Sequence, residues 1–301
     1  MLELAKLCLI AVVIVIFWQP FFRLILLLVI FLLKKLLLKK EILAGRENIP
    51  KKGGGLVLTN HFTTGEEAGL LFYHLTLILG LMKVYLLYKK ELEEGKNLIT
   101  KIGGLFALVF LRGAGFRPTR REQKDEVGSS WAAHKLAKRK TLLAMPEGTS
   151  RHPGLIIAKR RGLARLALQS DYEITPAAIP NGAQGISDGV DTWRNRVQRL
   201  WDWLRRRPLR PKIDTRHIVT IIFGKSFFLS ELGINSENDP TGERATTAIM
   251  VRIGSMLPKN LWGEYASAIA DYLKSDEPHA DYYRNLRASL SLTCLNFSNK
   301  T

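Results

Sequence analysis

A short polar loop after the apolar residues 56–58 carries the most reactive group of side chains in this sequence. Residues 60–69 read NHFTTGEEAG and hold one histidine and two adjacent carboxylates. Histidine titrates near neutral pH and is well suited to remove a proton from an attacking hydroxyl group. A carboxylate bonded to its second ring nitrogen fixes the tautomer and stabilises the imidazolium. We therefore take His61 as a candidate general base and Glu66 as the acid that orients it.

The same loop also fits a purely structural interpretation. Thr63 with Glu66, or Thr64 with Glu67, matches a capping box, in which hydroxyl and carboxylate bond to backbone amides at a helix start. On one continuous helix, side chains five residues apart point about 140° away from each other, so a turn must separate His61 from Glu66 if they pair. The threonine–glycine segment supplies such a turn. Because one carboxylate cannot fully serve both tasks, we assign Glu66 to His61 and Glu67 to the helix start.

Two further stretches carry groups that suit a phosphorylated ligand. Residues 145–154 read MPEGTSRHPG, a turn that exposes the carboxylate of Glu147 and the guanidinium of Arg151. The planar fork of arginine matches phosphate oxygens. An earlier stretch begins with Lys89 and Lys90 and ends in an apolar run closed by Arg112. Taken singly, these are also explained as a surface turn and a salt-bridged arginine.

Together and in order, the blocks NHFTTGE, KKEL with FLR, PEGTSR and ITPAAIP resemble the glycerolipid acyltransferase family over roughly residues 45–225. The resemblance implies that His61 and Glu66 form the catalytic pair. It implies transfer of an acyl chain from acyl-CoA or acyl carrier protein to a lysophospholipid hydroxyl, with 1-acylglycerol 3-phosphate as the first candidate acceptor and with no metal or other cofactor. The phosphate-binding residues that it implies are Lys89, Arg112, Glu147, Gly148, Thr149 and Arg151.

The sequence departs from the family pattern in two places. Glu66 stands where aspartate is usual, as in related acyltransferases that act on lipid A precursors, which favours less common acceptors. Ser150 displaces the arginine of the third block by one residue, so Arg160 or Arg161 could share the role of Arg151. Two alternatives therefore stay open. The protein acylates another lysophospholipid or a glycolipid, or it is a non-catalytic lipid-binding protein of the membrane surface.

The first forty residues predict a membrane anchor. Residues 4–33 are apolar except for Lys6, Gln19 and Arg23, and this run is longer than the roughly 20 residues that span a bilayer core. Pro20 interrupts the run, and proline kinks or breaks a helix. The segment is therefore predicted as one kinked membrane helix or as a re-entrant helical hairpin. The lysine pairs at residues 34–35 and 39–40 place the following domain on the cytoplasmic face.

The charge of the chain points to anionic partners. Lys and Arg number 45 against 27 Asp and Glu, for a net charge of +18, which suits lipid headgroups and phosphorylated substrates. No nucleic-acid-binding motif accompanies this charge, so we expect no nucleic acid partner. Residues 191–210, DTWRNRVQRLWDWLRRRPLR, predict a helix with Trp193 and Trp201 on one face and arginines around it. Such a helix is typical of a membrane interface or of a basic protein surface.

Apolar runs that alternate with helical patterns predict an α/β fold with a mixed sheet flanked by helices. Strands are expected at residues 56–60, 83–89, 141–147, 172–179 and 217–225, and helices at 66–79, 129–140 and 159–170. The organisation expected is a membrane anchor (1–40), an acyltransferase domain (41–225) and a C-terminal extension without an assigned role (226–301). Ligands in α/β sheets collect at the carboxyl ends of strands, where His61 and Glu147 both fall.

Overall fold

The chain divides into two compact units in the computed structural model. Unit 1 comprises Met1–Leu33, Lys51–Gly54 and Leu70–Ala144, and unit 2 comprises Lys34–Pro50, Gly55–Gly69 and Met145–Thr301. The residues that the structure describes are 2–50, 53–61, 66–89, 109, 111–119, 126–147, 154–158, 161–180, 194–202, 204–205 and 218–298. Each unit is treated separately below.

Seven strands are present in the described ranges. They are β1 Lys40–Ala44, β2 Leu56–Thr59, β3 Val84–Lys89, β4 Arg117–Thr119, β5 Thr141–Ala144, β6 Ile174–Ala178 and β7 Ile218–Phe223. In unit 1, β3 pairs in parallel with β4 and with β5. In unit 2, β1 pairs with β7 and β2 pairs with β6 in parallel, whereas β6 and β7 are antiparallel. The strand pairing is therefore mixed, as the sequence predicts.

Helices cover these strands in both units. The bounded α-helices are α1 Leu2–Leu37, α2 Glu66–Leu79, α3 Glu126–Ala137, α4 Gly162–Ser170, α5 Glu243–Ser255, α6 Ala266–Tyr272 and α7 Ala280–Ser298. Helix α3 contacts β4 and β5 in unit 1, and α5 contacts β2 and β6 in unit 2. Strands β2, β5 and β6 are buried along their whole length, which is why they read as continuous apolar runs. The α/β class predicted from the sequence is confirmed.

The N-terminal segment differs from its prediction. Leu2–Leu37 forms one helix with Pro20 inside it, so the predicted helical hairpin is wrong. Among the residues that the structure describes, no helix combines the length and the apolar content needed to cross a bilayer. The N-terminal transmembrane helix predicted from the sequence is therefore not found.

The burial of Arg23 gives the physical reason for this correction. Its side chain is 0% exposed in unit 1. Its Nε donates to the carbonyl oxygen of Ala114 at 2.9 Å, and its Nη1 donates to those of Leu81 at 2.5 Å and Val84 at 2.8 Å. The guanidinium lies 4.3 Å from the ring centroid of Tyr85. Because protein carbonyls and an aromatic ring surround this charge, this part of α1 packs as an element of the folded unit.

Candidate active site

His61 leaves the carboxyl end of β2 at a point that a buried asparagine holds in place. Asn60 is fully buried, and its Oδ1 accepts the backbone N–H of Ile179 at 3.0 Å. Ile179 directly follows β6, which runs parallel to β2 with Thr59 opposite Ala177. The Asn60 amide thus connects the carboxyl ends of two neighbouring strands. This contact fixes the direction in which the chain departs towards His61.

A carboxylate from the third sequence block holds the backbone of the histidine. The backbone N–H of His61 donates to Oε1 of Glu147 at 2.9 Å, and Glu147 is buried. A hydrogen bond to an ionised carboxylate is roughly twice as strong as one between neutral groups. The contact places this carboxylate against the main chain of His61. The phosphate-binding role of Glu147 implied by the resemblance stays a prediction.

The proposed partner of the histidine is only partly described. Glu66 is the first residue of α2, whereas residues 62–65 and the Glu66 side chain lie outside the described part of the chain. Both Glu66 and Glu67 belong to the first helical turn, where the helix dipole stabilises negative charge. The pairing of His61 with Glu66 therefore stays a prediction.

Half of the expected phosphate-binding residues also lie outside the described ranges. These residues are Gly148, Thr149 and Arg151, together with the substitute candidate Arg160. The other substitute, Arg161, lies just before α4 and forms an ion pair with Glu243 at 2.9 Å. Lys89 is the last residue of β3. Its phosphate-binding role stays a prediction.

The position of Arg112 separates it from the strand ends. The three parallel strands of unit 1 end at Lys89, Thr119 and Ala144, along one edge. Arg112 lies in the helical residues 112–113 that precede the turn before β4. In that turn, the carbonyl of Ala114 accepts a hydrogen bond from the Arg23 guanidinium, as do the carbonyls of Leu81 and Val84 near the start of β3. The turn therefore lies at the amino edge of these strands. Ligands of α/β sheets gather at the opposite edge.

These observations define the class of protein. It is an α/β protein with a histidine at the carboxyl end of a buried parallel strand, whose backbone is held by a carboxylate from a second sequence block. Within the described ranges, no cluster of three or more His, Cys, Asp or Glu side chains is arranged to hold a metal ion.

Comparison with known proteins finds a family match over part of the chain. Residues 42–180 match the family model described as Acyltransferase. The resemblance to the glycerolipid acyltransferases drawn from the four sequence blocks is thereby confirmed. Among solved structures, the chain is similar to the 1-acyl-sn-glycerophosphate (LPA) acyltransferase PlsC from Thermotoga maritima. That match has 18% identity and a TM-score of 0.48, and covers 81% of this chain and 89% of that one. No curated protein matches significantly.

Proposed function

We propose that this acyltransferase transfers a fatty acyl chain from acyl-CoA or acyl carrier protein to the free hydroxyl of 1-acylglycerol 3-phosphate, giving phosphatidic acid. The observation that carries the proposal is the hydrogen bond between the His61 backbone and Glu147, inside the family segment 42–180. This contact supports a general base held in a defined place at a strand end. The basic residues of the second and third blocks support an acceptor that bears a phosphate.

In the proposed reaction, a proton is transferred through His61, an ester bond forms and the thioester bond breaks. His61 takes the hydroxyl proton as the acceptor oxygen attacks the thioester carbonyl. The carbon–sulfur bond then breaks, and the departing thiolate receives the proton from the imidazolium. Glu66 would stabilise that imidazolium through the second ring nitrogen. Glu147 holds the backbone of His61, so the ring does not have to be repositioned during the reaction.

We assign the acceptor phosphate to Arg151, with Gly148 and Thr149 of the same sequence block. Lys89, which ends β3 at the carboxyl edge of unit 1, is a separate candidate for contact with a phosphate. The turn that follows Arg112 lies at the amino edge of the same strands. We therefore leave Arg112 out of the proposed phosphate site.

We place the protein on the cytoplasmic face of a membrane, with membrane lipids as partners. Helix α1 presents a stripe of exposed apolar side chains at spacings of three to seven residues, on one helix face. The stripe consists of Trp18, Phe21, Leu28 and Leu32. Arg23 and Phe22 are buried in unit 1. A helix with one packed face and one exposed apolar face is suited to lie in the bilayer interface.

The tryptophan–arginine helix, residues 194–202, supports the same placement in unit 2. Its apolar Leu200 and Trp201 are more than half exposed, whereas its polar Asn195 and Asp202 are buried. A helix packed on a protein core normally has the reverse arrangement. Arginines 194, 196 and 199 belong to the same helix and suit anionic headgroups. This burial pattern favours the interface interpretation over that of an ordinary basic surface.

Product identification tests the proposal against its alternatives. Purified protein in detergent is incubated with a long-chain acyl-CoA, or with acyl carrier protein carrying an acyl chain, and with a panel of acceptors. We expect phosphatidic acid by mass spectrometry when 1-acylglycerol 3-phosphate is present. If only a different lysophospholipid or a glycolipid is acylated, that lipid is the acceptor and 1-acylglycerol 3-phosphate is not. Folded protein that forms no product with any donor and acceptor would support the non-catalytic lipid-binding protein.

A further inference from the structure

The C-terminal extension, for which the sequence indicates no role, contacts the chain that follows the third sequence block. Within unit 2, residues 261–265 lie against residues 154–158. The N–H of Leu155 donates to the carbonyl of Leu261, and the N–H of Glu264 donates to the carbonyl of Leu155, each at 3.0 Å. Two backbone hydrogen bonds in opposite directions thus join the extension to this loop.

Two side chains of the extension accept hydrogen bonds from further backbone amides of the same loop. The N–H of Ala158 donates to the phenolic oxygen of Tyr265 at 3.2 Å. The N–H of Ile157 donates to the carboxylate of Glu264. Tyr265 is 7% exposed. Backbone amides in a loop need a partner, and here the extension provides partners for those of Leu155, Ile157 and Ala158.

The crossing of the two segments requires glycine at position 263 and leaves little room for a side chain at position 154. A Cβ atom at Gly154 would lie 3.2 Å from the Cα of Gly263, and a Cβ atom at Gly263 would lie 2.0 Å from the carbonyl oxygen of Leu155. Gly263 also has a φ of +53°, which favours glycine. The backbones therefore approach as closely as they can, and we name this arrangement of residues 154–158 and 261–265 the loop clamp.

The clamp follows the third sequence block in the chain. Burial raises the pKa of the Tyr265 phenol above its usual value, and the negative charge of Glu147 adds to the increase. Leu155, the first clamped residue, lies eight residues after Glu147, whose carboxylate holds the backbone of His61. Gly148, Thr149 and Arg151, which are expected to bind phosphate, lie between them in the chain.

We propose that Tyr265 and Glu264 are positioning residues for acyl transfer, which hold residues 155–158, the loop that follows the third block in the chain, in a defined place. The proposal rests on the proposed function. Glu147 and residues 155–158 are each held by hydrogen bonds, and the third block continues between them in the chain. A ligand binds at a smaller cost in conformational entropy where the protein around it is already held in place. Loss of the clamp is therefore expected to weaken acceptor binding more than it slows the chemical step.

The first test measures the clamp without any activity. Tyr265→Phe removes the oxygen that accepts the Ala158 amide, and Glu264→Ala removes the acceptor of the Ile157 amide. Tyr272→Phe is the matched control. Tyr272 is also a buried tyrosine of unit 2, but its hydroxyl donates to the carbonyl of Pro278 at 2.9 Å. Hydrogen exchange of a peptide covering residues 154–161 should accelerate in the first two variants and match the wild type in Tyr272→Phe. Unchanged exchange in the two clamp variants would overturn the proposal.

The second test separates positioning from general stability. Tyr265→Phe should raise the KM for the acceptor about fivefold, as expected for one hydrogen bond, with kcat and the KM for the acyl donor changing less. Tyr272→Phe should leave the acceptor KM at the wild-type value. Equal acceptor KM values in both variants would overturn the positioning role. Wild-type protein without turnover on this acceptor would instead refute the proposed function, and the exchange measurement would then decide the clamp alone.

Discussion

The backbone N–H of His61 donates to the carboxylate of Glu147 across 2.9 Å, although 86 residues separate the two in the chain. The contact connects the first and third sequence blocks through the main chain of one and the side chain of the other. It engages a backbone group of His61. We therefore propose that Glu147 acts on the position of the base.

Substitution of Glu147 tests this positioning role. Glu147→Ala leaves the His61 amide without its acceptor, which costs about 1–3 kcal/mol for a buried group and should lower kcat by about 10-fold or more. Glu147→Gln keeps a neutral oxygen in the same place, so its kcat should lie between those of the wild type and Glu147→Ala. Steady-state kinetics at saturating acceptor measure the effect. A wild-type kcat in Glu147→Ala would contradict the role.

Variants of Lys89 and Arg112 test the two opposite edges of the parallel strands in unit 1. Because β3 ends at Lys89 whereas Arg112 precedes β4, Lys89→Ala should raise the KM for a phosphate-bearing acceptor about 10-fold, as for loss of a charged hydrogen bond. Arg112→Ala should change it less than about twofold, as is usual for a surface substitution. The two variants are compared under the same conditions. The reverse result would return Arg112 to the phosphate site.

Arg23 tests whether the N-terminal helix belongs to the folded unit. Arg23→Met leaves the carbonyls of Leu81, Val84 and Ala114 without their donor, and should lower the free energy of unfolding by about 3 kcal/mol or more. Arg165→Met, at an exposed position of α4, is the control and should change it by less than about 0.5 kcal/mol. Urea unfolding measures both. Equal stability of the two variants would show that α1 is a detachable element.

Leu200 tests the tryptophan–arginine helix as a membrane contact. Leu200→Ser should weaken sedimentation with vesicles that contain anionic phospholipid by about two- to fivefold, since part of a leucine side chain no longer enters the apolar layer. Leu77→Ser provides a matched control, because Leu77 on α2 is 60% exposed and Leu200 is 55% exposed. It should bind as the wild type does. Equal loss in both variants, or none in Leu200→Ser, would count against this helix as the contact.

Elements with a strong local pattern were predictable from the sequence. Helix α2 has the range expected from its apolar spacing, 66–79, and β2, β3, β6 and β7 lie within the expected apolar runs. Strand β5 ends at Ala144 rather than at residue 147, because Pro146 has no N–H for a ladder. Strands β1 and β4 were missed. Each is short and carries charged residues or a proline, and each forms through pairing with a distant strand.

The candidate site was also predictable only in part, because some of its features depend on contacts between distant residues. Residue types and order identified His61 and Glu147, but the hydrogen bond between them depends on the fold. From hydropathy alone, Arg23 is interpreted as a polar interruption in a membrane segment. Hydropathy carries no information about its carbonyl partners, which lie more than fifty residues away in the chain. Tyr265 and Glu264 carry no sequence signal of their own. Their contacts with residues 157 and 158 span 107 positions.

The role of His61 as the base is tested by thiol release from a long-chain acyl-CoA, measured for the wild type and for His61→Ala with and without 1-acylglycerol 3-phosphate. We expect release that depends on the acceptor in the wild type and is abolished in His61→Ala, with both proteins equally stable in urea. Acceptor-dependent release at the wild-type rate from His61→Ala would contradict the assignment of His61 as the base.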